Sequence, residues 1–144
     1  MEKRRLGKTG LDLSVLGLGG FHLVEIDTGE AAHLLGAYLD AGGNYVETAA
    51  SYGDGISETK IGTAISHRRS EFFLATKSTQ RTRQGFAAEI DQSLINLRTD
   101  HVDVVFIHAV QKREEAEQVL APGGALEAAA DPRGPGAAGV AGGQ

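Results

Sequence analysis

Short apolar segments alternate with stretches of helical periodicity along the first 110 or so residues of the chain. Runs of four to seven residues rich in β-branched and aromatic side chains are typical of buried strands. Four such runs cover residues 15–18, 44–48, 71–76 and 102–108. Their centres are about 30 residues apart, which leaves room for one helical crossover between each pair of strands.

Apolar residues at helical spacing predict a helix in each of these intervals. The first follows Thr28 and Glu30, a pair typical of helix N-termini, and ends at Gly42. The second covers residues 57–66, with its first residue as the N-cap. The third covers residues 84–97 and has the clearest periodicity in the chain.

The alternation of strand and helix predicts an α/β fold built from parallel βαβ units. Residues 4–8 and 11–14 predict a β-hairpin ahead of the first strand. Two architectures remain open. Four βα units make half of a (β/α)8 TIM barrel, which takes about 250 residues, and they also suffice for a doubly wound open sheet.

Composition sets the domain boundary. The chain has 144 residues, of which 41% are hydrophobic and 23% charged, as in ordinary soluble globular proteins. Residues 131–144 consist mostly of Ala, Gly and Pro, with one large apolar residue. We therefore expect residues 1–130 to fold as one domain and 131–144 to be a disordered tail.

Charge and the missing cysteines exclude several classes of function. With 14 Lys and Arg against 19 Asp and Glu, the net charge is −5, so we expect no nucleic-acid partner. No apolar run has the length of a membrane span or a signal peptide, which predicts a cytoplasmic protein. The five histidines lack metal-ligand spacing and there is no cysteine, so no metal site is predicted.

The candidate chemistry lies at the carboxyl ends of the predicted strands. Glu47, Lys77 and His108 each close one of three successive apolar runs, and Tyr52 follows Glu47 by five residues. In parallel α/β folds this end of the sheet is where active sites form. One polar residue there is usually a solvated rim position, whereas three in succession indicate a site.

These residue types suit the reduction of a carbonyl group. A phenol has an ordinary pKa of about 10, and a nearby ammonium stabilises its phenolate. We expect Tyr52 to be the proton donor and the Lys77 ammonium to stabilise its phenolate. Glu47 would hold the ammonium in place. His108 could donate a hydrogen bond to a carbonyl oxygen, while a cofactor supplies the hydride.

Seven segments together resemble the N-terminal half of the aldo-keto reductase family, over roughly residues 3–129. They are RLGKTGL (5–11), LGLGG (16–20), ETAASYG (47–53), ETKIG (58–62), ATK (75–77), SLINL (93–97) and TDHVDVVFIH (99–108). The resemblance implies a (β/α)8 barrel of which the first four βα units are present. It also implies NADPH as the cofactor and an aldehyde or ketone as the substrate.

The resemblance also implies roles for individual residues. It places the catalytic acid at Tyr52 and the catalytic carboxylate, lysine and histidine at Glu47, Lys77 and His108. It places Gly20 and Phe21 beside the nicotinamide, together with Glu47. Glu47 is itself a departure, because the family usually has aspartate at this position.

A second departure is the end of the resemblance near residue 129, where a family member would continue into a fifth strand. We therefore expect a truncated half-barrel whose tail, 131–144, results from a premature stop or an altered reading frame. Its two unpaired sheet edges would favour a homo-oligomer. This leaves a second function open, that of an inactive relative that binds or assembles without turnover. A flavodoxin-like module is disfavoured because no phosphate loop follows the first strand.

Overall fold

A computed structural model describes residues 1–131, and consists of an N-terminal hairpin followed by a parallel sheet with helices between its strands. The hairpin strands are β1 (Lys3–Arg5) and β2 (Asp12–Ser14), and the sheet strands are β3 (Leu18–Gly19), β4 (Tyr45–Glu47), β5 (Phe73–Ser78) and β6 (Val104–Ile107). The α-helices are α1 (Thr28–Asp40), α2 (Ile56–Ile65), α3 (Arg83–Leu97), α4 (Arg113–Leu120) and α5 (Ala125–Ala129). Two 3₁₀ helices cover Phe21–Val24 and Ser66–Glu71.

The strand order decides between the two architectures. The sheet runs β3-β4-β5-β6, and every neighbouring pair is parallel. Each strand therefore lies beside the one that precedes it in the chain. A doubly wound sheet reverses its strand order at a switch point, whereas a barrel adds strands in sequence. The fold is a partial (β/α)8 barrel with an N-terminal hairpin, as predicted.

The first predicted strand is displaced. The prediction covered residues 15–18, but only Leu18 of that run lies in the observed strand. Val15 and Leu16 are 55% and 63% exposed, and the Val15 N–H donates to the Glu2 carbonyl at 3.0 Å. The chain here continues the hairpin pairing before it enters the sheet, so two apolar residues that suggested a buried strand face outward.

Burial of the strands is also uneven. Val46 on β4 and Leu74 on β5 are fully buried, because each of these strands has a neighbour on both sides. β6 is the last strand of the described sheet, and Phe106 on it is 43% exposed. The prediction of buried strands is therefore only partly met by β6 and by β3, neither of which has a fully buried residue.

The helices follow the predicted intervals, but two of their caps differ. Asp27 caps α1: its carboxylate accepts the Glu30 N–H at 2.8 Å while the Glu30 carboxylate accepts the Asp27 N–H at 3.2 Å. α2 begins at Ile56 after Gly55, whose φ of +85° suits a glycine. Ser57, the predicted cap, is instead a buried residue inside the helix.

Tyr38 ties α1 to the start of the sheet. Its ring is buried, and its hydroxyl accepts the Tyr45 N–H at 3.1 Å and lies 2.8 Å from the Leu16 carbonyl oxygen. The Ser14 hydroxyl lies 2.8 Å from the Tyr38 hydroxyl. One phenol therefore joins the hairpin, the linker after it and β4, which fixes where β4 and its last residue, Glu47, lie.

Two apolar clusters form the core of residues 1–131. The larger one lies between the sheet and α1 and α2 and includes Leu35, Val46, Ile61 and Leu74. The smaller one joins α3 to α4 and α5. No helix in this part of the chain is long and apolar enough to span a bilayer. The predicted tail, 131–144, lies outside the described residues except for Asp131, so that prediction stays untested.

Candidate active site

The carboxyl ends of β4 and β5 bring a carboxylate and an ammonium group together. Glu47 is the last residue of β4 and Lys77 lies near the end of β5, with Glu47 paired in register to Ala75. Parallel pairing therefore places both side chains at the same end of the sheet, where the strands have their carboxyl ends. The loop after β4 then turns sharply at Gly53, Asp54 and Gly55, whose φ angles are +62°, +51° and +85°.

Lys77 is the centre of the site. Its ammonium forms an ion pair with Glu47 and donates to the Tyr52 hydroxyl at 2.9 Å and to the Thr48 carbonyl at 3.0 Å. The Lys77 and Glu47 side chains are 15% and 27% exposed. Low exposure weakens solvent screening, so the ammonium acts on the phenol more strongly than it would at an open surface.

His108 completes the group from the next strand. The backbone N–H of His108 donates to the Ser78 carbonyl at 2.7 Å, which continues the β5–β6 ladder beyond Ile107. The imidazole centroid lies 5.7 Å from that of Tyr52, with the rings nearly perpendicular. Partial burial, and next the nearby Lys77 ammonium, lower the His108 pKa below its ordinary value. The neutral imidazole is therefore favoured at pH 7, and one of its nitrogens carries a donor N–H.

Gly20 and Phe21 lie beside these groups. The Gly20 N–H donates to the Glu47 carbonyl at 2.7 Å, and a Cβ at Gly20 would come within 2.6 Å of the Ser57 hydroxyl. The backbone thus passes too close to α2 for a side chain. Phe21 is 51% exposed, and its ring meets that of Tyr52 edge-on with centroids 5.1 Å apart. An exposed ring at the mouth offers a flat apolar surface to a bound ring.

All of the residues predicted for the site therefore lie close together, and several of their partners were not predicted. The Thr48 carbonyl that accepts from Lys77 is a backbone atom, which no residue pattern reveals. Ser51, whose hydroxyl lies 3.3 Å from His108 Nδ1, immediately precedes Tyr52, and that adjacency was an available signal. Ser57 contacts the site from α2: its hydroxyl donates to the Gly20 carbonyl and lies 2.8 Å from Thr48 Oγ1.

Comparison with known proteins agrees with this arrangement. The model of the aldo/keto reductase family matches residues 15–131. This chain belongs to the aldo/keto reductase family. Among curated relatives, the oxidoreductase YqkF of Bacillus subtilis (strain 168) is 33% identical over 132 residues. That alignment covers 83% of this chain but only 43% of YqkF.

Solved aldo-keto reductase structures give the same picture. The holo form of AKR11C1 from Bacillus halodurans superposes with a TM-score of 0.73 at 28% identity, covering 83% of this chain and 44% of that one. An aldo-keto reductase from Klebsiella pneumoniae in complex with NADPH superposes with a TM-score of 0.64 at 25% identity, covering 76% of this chain and 41% of that one. This chain therefore spans less than half the length of these relatives.

Proposed function

We propose that residues 1–130 form one folded unit that carries the catalytic site of an NADPH-dependent reductase of aldehydes or ketones. The observation that supports this most strongly is the 2.9 Å hydrogen bond between the Tyr52 hydroxyl and a Lys77 ammonium held by Glu47. A phenol with an ammonium partner is suited to give up its proton to a substrate oxygen, because the positive charge stabilises the phenolate that remains.

The site has a division of labour. Tyr52 donates its proton to the carbonyl oxygen of the substrate. The Lys77 ammonium stabilises the phenolate, and Glu47 keeps the ammonium in position. The neutral His108 imidazole, 5.7 Å from the Tyr52 ring, donates its N–H to the same oxygen and orients the substrate. The carbonyl carbon gains a hydride and its oxygen a proton, which gives the alcohol.

Three residues fit the nicotinamide end of the cofactor. Phe21 presents an exposed ring face at the mouth of the site, and Gly20 keeps the backbone there free of side-chain bulk. The Glu47 carboxylate is 27% exposed and can accept a hydrogen bond from a polar group of the cofactor. When bound, NADPH would supply the hydride. An NADPH complex of a relative from Klebsiella pneumoniae supports this choice of cofactor.

The test compares cofactor binding with turnover in the purified chain. NADPH fluorescence measures binding, and loss of NADPH absorbance with an aromatic aldehyde measures turnover. Tyr52→Phe keeps the ring packing against Phe21 and His108 but removes the acid, so we expect unchanged binding and a fall in kcat of about 100-fold or more. Tyr45→Phe, on β4, is the matched control and should retain activity. Equal turnover in Tyr52→Phe would contradict the proposal.

A second function is favoured by the open edges of the sheet. β3 and β6 each pair on one side only within the described residues, and Leu16 beside β3 and Phe106 on β6 are 63% and 43% exposed. Unpaired edges with apolar residues favour association. We propose as the alternative a half-barrel that assembles with a second copy of itself, without turnover.

Light scattering after gel filtration distinguishes the two functions. A dimer of about 30 kDa, from the 15.1 kDa chain, that fails to bind NADPH supports the assembly. A monomer that binds NADPH and turns over the aldehyde supports the reductase.

The net charge of −5 and the lack of cysteine support two further proposals, a cytoplasmic location and no nucleic-acid partner.

A further inference from the structure

A polar pocket of about 140 Å³ lies between α2 and α3, bordered by the loop that carries Tyr52. Two small residues of that loop, Ala50 and Gly55, form part of its wall. The polar side chains that line it are Asp54, Glu58, Glu89, Gln92, Ser93 and Asn96. The lining therefore includes three carboxyl groups and no Lys, Arg or His.

The Ser93 hydroxyl in this pocket lacks a hydrogen-bond partner among the described residues. Ser93 is fully buried on α3, and its Oγ is the only buried side-chain nitrogen or oxygen of residues 1–131 without a hydrogen-bond partner. Buried polar atoms in native proteins are almost always satisfied by protein, water or ligand. A buried hydroxyl without a partner, on a residue that lines a polar pocket, is a candidate attachment point for a bound group.

The carboxyl groups of the pocket are bound by neutral donors alone. Glu58 is fully buried and accepts from the Thr76 hydroxyl at 2.7 Å and the Asn96 amide at 3.1 Å. Glu89 accepts from the Ser78 hydroxyl at 2.6 Å and from the Thr79 N–H at 2.8 Å. These bonds orient the carboxylates but leave their negative charge without a compensating cation in the lining.

Asp54 adds a third charge at the rim. It is exposed, and its left-handed backbone, φ +51°, holds it in the turn that begins α2. No hydrogen bond or ion pair joins its side chain to another residue of the described chain. A pocket with this excess of acceptors is complementary to a positively charged hydrogen-bond donor.

The volume of the pocket and the spacing of its acceptor groups decide the class of ligand. No three His, Cys, Asp or Glu side chains of residues 1–131 are grouped closely enough to hold a metal ion. The volume is several times what one water molecule requires. We propose that this pocket binds a small organic primary ammonium compound, with Ser93 Oγ accepting one N–H and Asp54 supplying charge. The inference is independent of the reductase proposal.

Amide NMR spectra of the ¹⁵N-labelled full chain test this site directly, without catalysis. The probes are ethylammonium chloride, ethanol as its neutral analogue, and tetramethylammonium chloride, a cation that has no N–H. At matched ionic strength, ethylammonium should produce saturable shifts of the Gly55, Ser93 and Asn96 amides. Ethanol and tetramethylammonium should not.

Two variants and their controls complete the design. Ser93→Ala should weaken ethylammonium binding by about tenfold, the value of a hydrogen bond to a charged group. Asp54→Asn, at an exposed position that is not expected to affect folding, should weaken it by roughly two- to fivefold. Ser70→Ala and Asp91→Asn, both exposed and outside the pocket, should bind as the parent chain does.

Three results would overturn the inference. The first is a shift that grows linearly with ethylammonium and never saturates. The second is an equal response to ethanol, which would indicate a pocket that holds only water or any small polar solute. The third is unchanged affinity in Asp54→Asn together with unchanged affinity in Ser93→Ala. If Ser93→Ala does not fold, the Asp54→Asn and Asp91→Asn pair decides alone.

Discussion

Removing the Lys77 ammonium should destabilise the fold measurably as well as disabling the site. Lys77→Met keeps the length of the side chain but deletes the ion pair to Glu47 and the hydrogen bonds to Thr48 and Tyr52. Glu47 is then left as a carboxylate that is only 27% exposed and has no counter-charge. Loss of one partner costs 3–5 kcal/mol in a buried pair and at most about 1 at the surface, so about 2 kcal/mol is expected here.

A double-mutant cycle separates the pair from the rest of the site. Glu47→Gln keeps an oxygen acceptor and should cost about 1 kcal/mol, because the ammonium retains Thr48 and Tyr52 as partners. In the Glu47→Gln/Lys77→Met variant neither charge remains. We therefore expect the double variant to be about 1 kcal/mol more stable than the sum of the two single losses implies.

Urea unfolding followed by far-UV circular dichroism measures all four proteins. Repetition in high salt is a control, because a partly buried pair is screened less than a surface pair and its coupling should persist. Additive single losses, within about 0.5 kcal/mol, would refute the argument. So would a Lys77→Met chain as stable as the parent, since the three bonds to Lys77 would then contribute nothing net.

Three further predictions rest on single contacts. Tyr38→Phe should lower the free energy of unfolding by about 2 kcal/mol, because the partly buried Tyr45 N–H loses its acceptor. Gly20→Ala should lower it by about 2 kcal/mol, because the new methyl group meets the Ser57 hydroxyl. His108 should titrate below its ordinary pKa of 6.5. The native state then binds fewer protons than the unfolded state, so this contribution to stability is complete above pH 6.5 and is lost as the pH falls through the lowered value.

Matched variants check each of these. Tyr45→Phe removes a phenol that forms no hydrogen bond to the rest of the described chain, so its stability should change by less than about 0.5 kcal/mol. Gly36→Ala places a methyl group in open space on α1 and should stabilise the protein by up to about 1 kcal/mol. NMR titration of the imidazole measures the His108 pKa, and Lys77→Met should raise it. If Tyr38→Phe is as stable as Tyr45→Phe, or Gly20→Ala as stable as Gly36→Ala, the corresponding contact does not contribute as predicted. A His108 pKa at or above 6.5 contradicts the third prediction.

The sequence located the site better than it located the first strand. Glu47, Lys77 and His108 could be assigned to one edge because a parallel sheet places successive strand ends together, and the observed register does so. The strand predicted at 15–18 failed because apolar character alone does not distinguish a buried strand from a linker. Val15 is paired to the hairpin instead, through backbone atoms that are the same in every residue.

Long-range contacts account for the other differences. Ser57 was predicted to cap α2, but its hydroxyl meets Thr48 on the preceding strand end and Gly20, which is 37 residues away. The exposure of β6 depends on what lies beside it, which local periodicity cannot indicate. The pocket that Ser93 lines was invisible for the same reason, because its walls come from two helices and a loop.

The sequence by itself determined the alternation of strands and helices, the family and the set of residues at the strand ends, because those follow from local periodicity and from spacing along the chain. Only the tertiary structure decided that the Lys77 ammonium reaches Glu47, Thr48 and Tyr52 together, and that the strands lie in sequential order. Those outcomes depend on distances between segments about 30 residues apart, which are set by packing of the whole core and by no single stretch of the chain.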